Sequence, residues 1–118
     1  MKIFFYIIVL SFLFSSSVFA DQCVLNKYGN VICADTPGGS CAVNKYGNVE
    51  CGSGECCVNK YGNVECSNTP VGGCAVNKYG NVEFGAGGCA VNKYGNVECS
   101  NTPGGGCAVN KYGNVECN

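Results

Sequence analysis

The phrase Cys-Ala-Val-Asn-Lys-Tyr-Gly-Asn-Val-Glu-Cys, residues 41–51, recurs with small changes six times in a chain of 118 residues. No other feature restricts the fold as much. The first cysteines of the copies stand at 23, 41, 56, 74, 89 and 107, so the steps alternate between 18 and 15 residues and the true period is 33. Three units follow, residues 23–55, 56–88 and 89–118, each with two phrases. The seven-residue linkers 34–40, 67–73 and 100–106 carry Thr-Pro-Gly or Thr-Pro-Val, and the four-residue linkers, such as 52–55, are glycine-rich. Both compositions are turn chemistry. A period of this size indicates stacked supersecondary elements rather than an ordinary globule.

Within a phrase, pairing Cys41 with Cys51 sets Ala42 opposite Glu50, Val43 opposite Val49 and Asn44 opposite Asn48. Lys45-Tyr46-Gly47 is then a three-residue loop. The usual solution for that length is a type I turn followed by a left-handed residue, and glycine holds the left-handed place in all six copies. The same register puts cysteine and valine on one face and Ala, Glu and Asn on the other. Loop length, glycine position and face pattern therefore agree on a β-hairpin closed by a cross-strand disulfide.

The cysteine count tests this reading. Hairpin pairing joins Cys23 with Cys33, Cys41 with Cys51, Cys56 with Cys66, Cys89 with Cys99 and Cys107 with Cys117, leaving Cys57 and Cys74. Phe84 stands where the fourth phrase needs its second cysteine, and Cys57 stands where neighbouring phrases have alanine. The two leftovers are expected to cross-link hairpins three and four. A rival scheme across the linkers, 33 to 41, 51 to 56, 66 to 74 and 99 to 107, strands four cysteines. Spacing alone does not prove connectivity. Each hairpin bridge closes a loop worth roughly 3 kcal/mol of chain entropy, so the chain depends on an oxidising compartment.

Residues 1–20 are set apart. Lys2 precedes an apolar run from Ile3 to Phe14, and Val18-Phe19-Ala20 presents a cleavage site, which reads as a secretory signal with Asp21 as the mature start. From Asp21 onward there are six lysines, eight acids, all eighteen glycines and all twelve cysteines, but only sixteen Val, Leu, Ile and Phe. That is too little for a normal core at this size, and an exported, cysteine-dense, core-poor chain is a disulfide scaffold. The expected localisation is secreted or periplasmic. A net charge near minus two offers no basic patch for nucleic acid, and no apolar stretch after the signal is long enough to span a membrane.

Catalytic chemistry has few candidates. The chain has no histidine, its serines lie in the signal or in linkers, and Glu50, Glu65, Glu83, Glu98 and Glu116 are copies of one strand position. There is no C-x-x-C redox motif and no paired zinc knuckle. The expectation is a non-enzyme without cofactor or resident metal, with thiol-based metal binding as a minor alternative. The repeated loop is the best binding candidate: Lys27 and Tyr28, Lys45 and Tyr46, Lys60 and Tyr61, Lys78 and Tyr79, Lys93 and Tyr94, Lys111 and Tyr112. Lysine, tyrosine and amides can stack on and hydrogen-bond to a sugar, and six copies give avidity toward a repetitive glycan or surface. Turn chemistry and internal duplication also suffice to keep these loops identical.

The fold class is thus a small disulfide-rich all-β array of six short hairpins, with a β-solenoid of 15- and 18-residue coils as the alternative. Its expected role is display of NKYGN loops to a polysaccharide or cell surface. The alternative is self-associating extracellular material.

Overall fold

The computed structural model describes residues 22–118. The proposed secretory signal, 1–20, and Asp21 lie outside these residues. The described chain is all-β, with twelve strands: β1 (Cys23–Leu25), β2 (Val31–Cys33), β3 (Ser40–Val43), β4 (Val49–Gly52), β5 (Cys56–Val58), β6 (Val64–Cys66), β7 (Gly73–Val76), β8 (Val82–Gly85), β9 (Cys89–Val91), β10 (Val97–Cys99), β11 (Cys107–Val109) and β12 (Val115–Cys117). Each consecutive pair forms its own two-stranded antiparallel sheet, giving six hairpins. In the second, Cys41 faces Cys51, Ala42 faces Glu50 and Val43 faces Val49. Strand ladders are confined to single hairpins, so the continuous parallel sheets of a solenoid are not formed.

The turn follows from local chemistry. Asn44 N–H donates to the Asn48 carbonyl at 2.8 Å, and Gly47 N–H donates back to the Asn44 carbonyl at 3.0 Å. Gly47 has φ +81°, the left-handed conformation that closes a three-residue hairpin loop.

The hairpins stack face to face, all in the same sense. The cysteine and valine face of each lies on the alanine and glutamate face of the one before. A Cβ built on Gly52, on the glutamate face of β4, would lie 2.2 Å from Cys66 Cβ in the next hairpin, and Gly85 meets Cys99 in the same way. Such contact between backbone and disulfide is open only to glycine. At the base, Ser40 N–H reaches Gly54 O at 3.1 Å, Glu55 N–H reaches Gly72 O at 2.9 Å and Gly73 N–H reaches Gly87 O at 2.9 Å.

Six disulfides run along this stack. Five are cross-strand rungs, 23–33, 41–51, 56–66, 89–99 and 107–117, with Cα–Cα distances of 4.0 to 4.1 Å. The sixth joins Cys57 to Cys74 across 6.2 Å and links the third hairpin to the fourth. Its direction follows from the stacking sense: the alanine position of one hairpin faces the first cysteine of the next. Phe84 is the strand partner of Cys74, occupying the place of the missing cysteine.

The centre is disulfide, glycine and small polar side chains rather than a hydrophobic core. Among the described residues Cys74 is the one buried hydrophobic side chain, while Ser67 and Ser100 are the buried polar ones. The Ser67 hydroxyl accepts the Thr69 N–H at 3.3 Å, so the linker's own turn satisfies it. The long linkers place Gly38, Val71 and Gly104 at one equivalent left-handed position, with φ of 81°, 56° and 75°. Each follows proline and precedes an i to i+3 bond, such as Gly39 N–H to Thr36 O at 3.0 Å, the arrangement of a type II turn.

Candidate binding edge at the hairpin tips

The first asparagine of each tip organises the loop. Asn44 Oδ1 accepts the N–H groups of Tyr46 and Asn48 at 2.9 and 3.1 Å. Asn26, Asn59, Asn77, Asn92 and Asn110 repeat this pattern. The short amide side chain thus serves two loop donors, which is why this position favours asparagine. In the second to sixth hairpins the amide Nδ2 also donates to the strand glutamate, as Asn59 does to Glu65 at 2.8 Å. Ile32 takes the glutamate's place in the first hairpin, opposite Val24.

The tips are tied to one another. Lys27 N–H donates to Gly47 O, Lys45 to Gly62, Lys60 to Gly80, Lys78 to Gly95 and Lys93 to Gly113, all at 2.8 to 2.9 Å. Each lysine stem also lies against the glycine of the following tip. A Cβ on Gly62 would come within 2.6 Å of Lys45 Cβ. Neighbouring tips are therefore one backbone hydrogen bond apart, a spacing on the order of 5 Å.

This geometry sets Lys27, Lys45, Lys60, Lys78, Lys93 and Lys111 in register along one edge, each with Nζ 5.2 Å from the ring centroid of its own tyrosine. That distance is within cation–π range. The rings are open to solvent: Tyr28 is 74% exposed, and Tyr46, Tyr61, Tyr79, Tyr94 and Tyr112 are 62 to 65% exposed. All twelve loop residues singled out in the sequence are thus gathered on one edge. Net charge gave no sign of a basic patch, yet the fold assembles one by aligning lysines 15 or 18 residues apart in sequence.

The other candidate chemistry sits elsewhere. Glu55, Cys57 and Cys74 bring an oxygen and two sulfurs within 4.8 Å of one another. The sulfurs are bonded together, and Glu55 Oε1 accepts the Cys74 N–H at 2.9 Å. No cysteine among the described residues is free, so no thiolate remains to ligate a metal, and the thiol-based alternative loses its ligands. A groove on the linker side is lined mainly by glycines such as Gly38, Gly39, Gly72 and Gly73, with Glu55 as its charged group.

The fold and its edge define a disulfide-rich tandem-hairpin protein of a kind compatible with an extracellular binding or structural module. No protein-family model matches the chain, and no curated protein or solved structure matches it.

Proposed function

We propose that the protein is a non-enzymatic extracellular binding module that displays its NKYGN tips to a polysaccharide or cell surface. The observation that carries this reading is the alignment of six exposed tyrosines, each beside a lysine, on a scaffold locked by six disulfides. Avidity requires that the displayed groups keep a fixed spacing, and hydrogen bonds between tips supply it. A disulfide in every hairpin except the fourth, which is stapled to the third, fits an oxidising compartment, whether secreted or periplasmic.

The test is capture of the oxidised protein on insoluble polysaccharides and cell-wall preparations. Saturable capture that falls at least tenfold in Tyr46→Ala/Tyr61→Ala/Tyr79→Ala supports display of the tips. Undiminished capture by that variant, or no capture, refutes it. A second reading, self-associating material, rests on the Lys N–H to Gly O contact that repeats between all successive tips, which is a template for like-with-like stacking. Concentration-dependent fibres without capture favour that reading.

A further inference from the structure

The chain is near neutral, but its charges are sorted. All six described lysines stand on the tip edge, and the backbone bonds between tips set their chain positions on the order of 5 Å apart. That is less than the screening length of about 8 Å at physiological salt, so the row acts as one line of positive charge. Five glutamates, Glu50, Glu65, Glu83, Glu98 and Glu116, recur on the second strand of each hairpin from the second to the sixth, each engaged by an asparagine amide at 2.8 to 3.1 Å. Asp35 and Glu55 belong to the linkers at the opposite end of the hairpins. Among the described residues no lysine is ion-paired with a carboxylate.

The lysines are also prearranged. Each stem except that of Lys111 packs against the next glycine through Cβ, Cγ and Cδ, and each ammonium lies by its own ring. Packing of the stem carbons lowers the side-chain freedom that binding would have to remove.

We propose that the tip edge is a binding site for a linear polyanion, a polysaccharide bearing carboxylate or sulfate groups, which lies along the stack with its anionic groups on successive ammoniums. This rests on the display reading above and names its ligand class. Single-stranded nucleic acid fits less well. The chain offers lysine ammoniums in a row but no tryptophan and no arginine for base stacking. Each ring also has its own lysine ammonium 5.2 Å from its centroid. The phenols and ammoniums are what the edge presents to a ligand, and those suit a charged sugar chain.

Affinity electrophoresis of the oxidised, full secreted chain through polygalacturonate, dextran sulfate, uncharged dextran and oligothymidylate tests the proposal. Retardation by either acidic polysaccharide, weakening on the order of a hundredfold between about 50 and 200 mM salt, is the expected result. Lys45→Gln/Lys60→Gln/Lys78→Gln keeps the stem carbons that touch glycine and removes the charge. It should lose at least tenfold in affinity with an unchanged disulfide mass, and the corresponding arginine variant should restore it. Binding to uncharged dextran that is salt-independent and lost in the tyrosine variant overturns the polyanion assignment and leaves the display reading standing. Acidic-polymer binding that survives the glutamine variant places the site elsewhere and overturns it. Preference for oligothymidylate, or no retardation by either acidic polymer, overturns it as well.

Discussion

The tip ladder predicts that chemically identical substitutions at equivalent glycines will have unequal costs. Gly29 and Gly62 have φ of 81° and 80° in equivalent turns. A Cβ on Gly29 meets nothing within 4 Å, whereas one on Gly62 meets Lys45 Cβ at 2.6 Å. Gly29→Ala therefore carries the backbone term alone: about 1–2 kcal/mol for a left-handed L-residue, offset by about 0.4–1 kcal/mol of lost unfolded-chain entropy, for a net loss near 0.5–1 kcal/mol. Gly62→Ala adds a carbon–carbon approach roughly 1 Å inside the usual 3.5–4.0 Å contact. Relieving it by moving the tip about 1 Å stretches the 2.8 Å Lys45 N–H to Gly62 O bond past its useful range, at about 1 kcal/mol plus the lost stem packing. The expected total is about 2–3 kcal/mol. Guanidinium unfolding with disulfides intact, followed by circular dichroism, measures both variants. A difference of at least about 1 kcal/mol, or roughly 4–8 °C in Tm for a domain of this size, is expected. Equal losses would show that adjacent tips do not touch, and the aligned edge would fall with them.

Three further outcomes follow from the same geometry. Trypsin without reduction cuts after every loop lysine, yet bridges span each cut except that at Lys78, so non-reducing mass spectrometry should show two assemblies, one ending at Lys78 and one covering 79–118; free 28–45 or 94–111 peptides would refute the hairpin connectivity. Val71 is the one described non-glycine residue at positive φ, and Val71→Gly should raise the melting temperature, because relief of about 1–3 kcal/mol of strain exceeds the glycine's entropy cost of about 0.5–1 kcal/mol; a lower melting temperature would mean that the side chain's contact over Gly38 outweighs its backbone. Asn77→Ala removes the acceptor for Tyr79 and Asn81 N–H and the partner of Glu83, and should cost about 1–2 kcal/mol, read by chemical denaturation, with loss of that tip's amide protection in hydrogen exchange.

Why some of this was legible in the sequence and some was not is a matter of range. The hairpin is decided within eleven residues: cysteines ten apart, a three-residue loop and a glycine at its left-handed place leave one register, and the strands follow it. The direction of stacking is decided between phrases. Its sequence traces are faint, namely Gly52 and Gly85 where a Cβ would strike the next disulfide, and Cys57 on the alanine face aimed at Cys74. Read singly, Cys57 and Phe84 are two departures from a pattern; stacked, they are a single staple that moved from within a hairpin to between two.

The electrostatics lay furthest from view, because net charge sums over a chain while a ligand meets one edge of it. Any stack in register converts a residue used once per repeat into a line, whatever the balance of the whole. A lysine at a loop tip and a glutamate two residues past the loop glycine's asparagine cancel in composition and separate in space. Asn44 engages the Glu50 carboxylate through Nδ2 while its Oδ1 shapes the loop that carries the lysine. In the second to sixth hairpins the residue that builds the turn is therefore also the residue that occupies the strand carboxylate, and local turn chemistry and the display of charge along the tips are one arrangement repeated along the stack.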